Sequence, residues 1–151
     1  MKIIEFKIDM YEEVYTLWKK TELSLVSSDT KEEVKRIVKL HPELFLVGIK
    51  GQKILAVVIG AFDGRRGYVH HLSVDPNYQK QGLGKIMMEE LHSRFKKMKV
   101  HKVHLFVDAD NMGVIEFYKK IGWHIRSDLV MMSYVPDTKL YTVKKYKKQQ
   151  K

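Results

Sequence analysis

The stretch VDPNYQKQGLGK, residues 74–85, decides how the chain is read. It joins an apolar run to a long helical pattern and puts Gly82 and Gly84 at the start of that helix. Glycine costs a helix interior roughly 0.5–1 kcal/mol relative to alanine. Two at one helix start imply a need for bare main chain. A loop entering a helix offers unpaired N–H groups and the positive end of the helix dipole, which together bind phosphate. Without a Cβ, the backbone lets the anion approach closely. Lys80 and Lys85 add positive charge. Residues 79–85 therefore read as an anion cradle.

Two common cradles fail here. A P-loop needs Gly at 79 and Ser or Thr at 86, where the chain has Gln79 and Ile86. A dinucleotide fingerprint needs a small residue at 87, where the chain has Met87. The spacing present is Gln79-Lys80-Gln81-Gly82-Leu83-Gly84.

The flanking elements follow from periodicity. KIIEFKI (2–8) predicts a strand, and Asp9 with Glu12 predicts a capped helix carrying Tyr11, Val14, Tyr15 and Trp18. SSDTKEEVKRIVKLH (27–41) predicts a second helix, capped by Ser28, Asp29 or Thr30 and stopped before Pro42. LFLVGI, the turn KGQ and KILAVVIGAF form a hairpin, and DGRRG turns the chain into YVHHLSV (68–74). Residues 83–98 predict a helix through Leu83, Ile86, Met87, Leu91 and Phe95. A strand at 100–107, a short helix at 111–122 ending on Gly122, and a final strand at 129–135 complete the chain. The order is β-α-α-β-β-β-α-β-α-β, a mixed α/β sheet with one parallel crossover at 68–107.

Composition sets the class. A chain of 151 residues with 44% hydrophobic and 30% charged content suits one globular domain. We expect that domain to span residues 1–138, with a basic tail at 139–151. No Cys occurs, which excludes disulfides, thiolate metal cages and a cysteine nucleophile. His101 and His104 point to opposite faces of a strand, so they make no metal pair. We expect no metal site. No apolar run reaches the ~20 residues of a membrane span, so a cytoplasmic protein without a membrane partner is expected. The formal charge of +10, partly in KKYKK (144–148), suits a solvated tail, with nucleic acid as the alternative partner.

Three segments taken together resemble one family. YVHHLSV followed by Asp75-Pro76 leads into the glycine motif, VHLFVDADN ends at Asn111, and EFYKKIGW (116–123) closes the set. In order and spacing, residues 44–124 are similar to the core of the GNAT family of N-acetyltransferases. The nearest look is the branch grouped with the ribosomal-protein-alanine N-acetyltransferases. The resemblance implies a splayed central strand pair with acetyl-CoA as co-substrate in the gap. It implies backbone pairing of the pantetheine at Leu72 and Val74, and diphosphate binding around Gln79, Lys80, Gln81, Gly82, Leu83, Gly84 and Lys85. Asn111 would hydrogen-bond the pantetheine, and Lys120 would reach the nucleotide phosphates. Tyr118 matches the tyrosine that protonates the departing thiolate.

Acetyl transfer to an amine needs a neutral nucleophile, hence a base or a water relay. An amide near Val74 would stabilise the oxyanion. The positions where members carry a catalytic Glu hold Phe106 and Tyr68 here. His70 is the substitute, on the face of Tyr68 and Leu72 by alternation, and arylalkylamine acetyltransferases carry a histidine at the matching place. His71 is expected on the opposite face. Trp18, Glu22, Asp63, Arg65 and Tyr68 are candidate acceptor-binding residues, although Asp63 and Arg65 also suit a hairpin turn. The acceptor is expected to be a primary amine of a small molecule, peptide or protein N-terminus. Homodimers are common in the family. The alternative function is a non-catalytic module that binds CoA or docks on RNA or a ribosome.

Overall fold

A computed structural model describes residues 1–21 and 23–142. Strand β1 (Lys2–Glu5) is followed by helices α1 (Tyr11–Lys20) and α2 (Lys31–Leu40). Next come β2 (Phe45–Lys50), β3 (Lys53–Phe62) and β4 (Gly67–Val74). Helix α3 (Leu83–Lys97), strand β5 (Val103–Leu105) and helix α4 (Met112–Lys120) complete the regular elements. The strands lie in the sheet order β1-β2-β3-β4-β5, antiparallel except for the parallel pair β4–β5. Among the described residues no helix is long and apolar enough to cross a membrane.

The sheet is apolar on both faces because helices cover both. Val57 and Ile59 of β3, with Phe45 and Val47 of β2, pack on Val14, Leu17 and Trp18 of α1 and Val34 of α2. Leu46, Ala56, Val58 and Val69 face the other way, against Met87, Met88, Leu91 and Phe95 of α3 and Tyr118 of α4. This doubly covered sheet explains the near-continuous apolar run of β3. Gly60 allows the close approach of α3, since a Cβ there would lie 2.7 Å from Leu91 Cδ1.

The structure corrects several expectations. Asp9 caps no helix: it lies inside a 3-10 turn, and Met10 occupies the cap of α1 without a side-chain bond. At α2 the cap is Thr30, whose hydroxyl accepts from the Glu33 N–H at 3.4 Å. The expected strand at 100–107 shrinks to three residues, because pairing with β4 spans only Gly67–Val69 against Val103–Leu105. No strand forms at 129–135. Among the described residues that segment has no ladder partner, and Val130, Met132 and Tyr134 are 86%, 90% and 86% exposed. The basic run at 144–148 lies outside the described residues, but the chain leading to it is tied down. Ser27 N–H donates to the Thr142 carbonyl at 3.0 Å, and Thr142 N–H donates to Ser27 Oγ at 3.2 Å.

Candidate active site

The cradle is built from the end of β4. Asp75 is buried; its N–H donates to the Leu55 carbonyl at 2.8 Å, and its carboxylate accepts from Asn77 N–H at 3.0 Å. Lys53 lies 3.1 Å from the same carboxylate. These bonds, the Asn77 amide foremost, hold the Asp75 carboxyl below its ordinary range. The chain then takes left-handed values at Lys80 (φ 59) and Gly82 (φ 81). The first helical bond of α3 runs from Ile86 N–H to the Gly82 carbonyl at 3.1 Å, so the amides of Leu83, Gly84 and Lys85 precede the helix's own ladder. A Cβ at Gly82 would meet nothing within 4 Å, so the loop opens to solvent. A Cβ at Gly84 would lie 3.4 Å from the Phe117 ring, so α4 packs directly beneath the cradle. Bare amides, a dipole end and exposed Lys80 and Lys85 fit a diphosphate.

Other expected contacts take specific forms. The Gln79 side-chain amide donates to the Val74 carbonyl at 3.0 Å, which ties loop to strand. Lys85 also lies 3.7 Å from Glu89. Asn111 caps α4 by accepting from Val114 N–H at 3.3 Å, leaving its NH₂ free of that role. Lys120 stands exposed in the last turn of α4.

Beyond Val69↔Leu105 the parallel strands part, while β4 continues to Val74 along β3. The side of this gap toward α3 and α4 carries Leu72, Val74 and Tyr118, all packed in one cluster. Burial pushes the Tyr118 phenol up to about 12, so it is protonated at neutral pH. The other side carries Tyr68 and His70, with ring centroids 6.4 Å apart. Burial, then the neighbouring His71, push the His70 imidazole below the ordinary histidine range. Its surface is nonetheless exposed, so the ring is crowded rather than sealed.

His71 overturns its expected orientation. Its φ of +51 sits where the β3–β4 register shifts between Val57 and Ile59. This bulge breaks alternation: His71 packs against helix α1, and Leu72, expected on the face of Tyr68 and His70, joins the cluster under α3 and α4 instead. There His71 Nε2 lies 2.6 Å from Asp29 Oδ1, and its ring packs 5.0 Å from Trp18. Asp29 is buried and also accepts from Val26 N–H at 2.7 Å. Burial raises its carboxyl, but the His71 and Val26 bonds outweigh that and hold it below the usual range. Tyr11 donates its hydroxyl to the Asp29 carbonyl at 2.7 Å. Asp29 also lines a shallow cavity of about 230 Å³ with Tyr11, Tyr15, Ser27, Lys31 and Thr142.

The candidate acceptor residues are dispersed. Trp18 is fully buried beneath His71 and Tyr15, and its indole N–H has no hydrogen-bond partner among the described residues. It forms floor rather than lining. Asp63 serves the turn, accepting from Arg65 and Arg66 N–H at 2.7 Å each. Arg65 is exposed in that turn, and Tyr68 is half-buried beside the gap. Glu22 lies outside the described residues. The His71–Asp29 pair was missed by sequence reasoning. Its only trace was Asp29 beside the predicted helix cap, which gave no hint of a partner 42 positions away. Among the described residues no cluster of three metal-ligating side chains occurs.

The profile of the family described as "Acetyltransferase (GNAT) family" matches residues 11–123. An acetyltransferase of Pectobacterium atrosepticum is 32% identical over 82% of this chain and 87% of its own length. The PaiA N-acetyltransferase of Thermoplasma acidophilum, solved with coenzyme A, superposes with a TM-score of 0.75 at 17% identity, covering 83% of this chain and 90% of its own. The ribosomal-protein-S18-alanine N-acetyltransferase of Escherichia coli gives 0.66 at 22% identity over 80% and 76%. These structural likenesses are likenesses of fold, while the sequence matches reach from α1 to the end of α4. The chain belongs to the GNAT family and is an acetyl-CoA-dependent N-acetyltransferase.

Proposed function

We propose that the chain acetylates a primary amine entering at the parting of β4 and β5, with His70 and Tyr118 on opposite sides of that gap. The supporting observation is the pairing of an open amide cradle with a strand split immediately upstream of it. Acetyl-CoA, when bound, supplies an acetyl thioester and leaves as a thiol. Leu83, Gly84 and Lys85 amides hold its diphosphate, with Gln79, Lys80, Gln81 and Gly82 shaping the loop. Leu72 and Val74 line its pantetheine path, Asn111 donates to it, and Lys120 draws the nucleotide end. The neutral His70 imidazole accepts the proton that the attacking amine must lose. The un-ionised Tyr118 phenol holds a proton ready for the departing sulfur. The bulge at His71–Leu72 presents main chain toward the forming oxyanion. Trp18 braces the floor, while Tyr68, Asp63 and Glu22 border the acceptor.

Residues 1–138 act as one catalytic unit on this reading, with 139–151 as a basic tail. The protein works in the cytoplasm on a small-molecule, peptide or protein amine, and the homodimer is its proposed assembly. The test is thiol release from acetyl-CoA over a panel of amines, with the acetylated product identified by mass. Amine-dependent release supports the proposal. Tight CoA binding without transfer to any amine would reject it.

A further inference from the structure

We infer that the acceptor is a peptide N-terminus bearing an acidic residue three to five positions in, its amine at His70 and its carboxylate between Arg66 and Lys102. This rests on the strand split being the transfer site and adds the acceptor's chemistry. On one face of the β4–β5 pair His70 and Phe106 are exposed, and Tyr68 and His104 are half-buried. Tyr68 is the register partner of His104, and their ring centroids lie 6.2 Å apart. Gly67 N–H donates to the Lys102 carbonyl at 2.9 Å, which sets Arg66 beside Lys102 one rung away. Strand alternation places Arg66, Tyr68 and His70 on this face of β4, with Lys102, His104 and Phe106 on the same face of the neighbouring chain. The face therefore runs from a cationic rung, through a ring rung, to His70 and the exposed Phe106 at the split.

The length of that track selects the ligand. Four residues of strand span about 13 Å, at about 3.3 Å per residue. An extended peptide covers that distance in about four residues. Few small amines carry an anion so far from the nitrogen. The track is also an open surface rather than an enclosed pocket, which suits a chain lying along a sheet. Its electrostatics agree. Lys102, Arg126 and Arg66 all act on His104 and help keep its imidazole below the ordinary range, after desolvation. Two carboxylates lie nearby. Asp63 is engaged by the Arg65 and Arg66 amides and also interacts with the Tyr68 hydroxyl on this track. Asp128 rests on Arg126 at 2.8 and 2.9 Å, its carboxyl held down to about 2 mainly by that pair, with Lys102 contributing. Asp128 thus shows a carboxylate already seated at the edge of this cationic field.

The experiment is acetyl transfer to six-residue peptides of one sequence, carrying Glu, Gln or Lys at position four. Wild type and the double variant Arg66→Glu/Lys102→Glu are compared at low salt. Wild type should favour Glu over Lys by about fivefold or more in kcat/KM, as expected for two exposed charges, and the double variant should invert that ratio. Raising salt should shrink the preference. Transfer to all three peptides at equal rates, or a preference that the double variant leaves intact, overturns the inference while the transferase reading stands. Transfer to the Glu peptide and to ethylamine with the same kcat/KM also overturns it. No transfer to any amine overturns both.

Discussion

On the proposed mechanism Tyr118 and His70 take opposite protonation duties, and their surroundings suit each to its own. Tyr118→Phe keeps the ring in its cluster but removes the proton; kcat should fall by about a hundredfold while CoA affinity, measured by calorimetry, stays within twofold. The phenol ionises only near 12, so its loss imposes no alkaline decline below pH 10. On that mechanism His70 is the neutral base. Its lowered pKa moves the acidic limb of kcat/KM below the ordinary histidine value of about 6.5. His70→Gln should abolish that limb in a pH–rate profile. At Asp29 the linkage runs the other way. Its folded pKa lies below the ordinary 3.8, so its stabilising effect is present above that value and fades as pH falls through the folded pKa. Asp29→Asn should cost about 1–3 kcal/mol at pH 7 in urea unfolding, and the deficit should narrow in acid.

On the proposed mechanism CoA binding turns on the loop at residues 79–85. Gly82→Ala forces a side chain into the left-handed region, at a cost of about 1–2 kcal/mol, and puts a methyl on the approach to the amides. CoA affinity should weaken at least tenfold, with thermal stability only slightly reduced. This element was legible in the sequence because glycine spacing reports local backbone need. The hairpins and α3 were legible for the same reason: turn residues and periodicity are local signals. The bulge at His71 was not, since a broken alternation arises from how β4 meets β3. Strand β5 was overread because VHKVHLFV has strand composition, whereas its length depends on where β4 stops pairing. Residues 129–135 were overread likewise. Leu129 to Met132 are apolar enough for a strand, but strand formation needs an edge and a covering layer, and neither is a property of the segment.

Across the whole molecule, two cores share one sheet, and the proposed acting groups lie where that sheet comes apart. Residue identity foretold the open loop ahead of α3. Trp18 shows the limit of that reading, because its place on the α1 stripe signals burial and acceptor lining equally. The absence of cysteine from all 151 residues has a practical outcome. A thiol reagent added to measure released CoA should give no signal from the unfolded protein alone, and preincubation with N-ethylmaleimide should leave turnover unchanged.

The twin bonds between Thr142 and Ser27 fix where the carboxy-terminal end departs, at the rim of the pocket shared by Tyr11 and Lys31. A bulky group placed directly after Thr142 would therefore crowd whatever approaches that rim. Met1 begins at the opposite border of the sheet, next to outermost β1, and is the safer point of attachment.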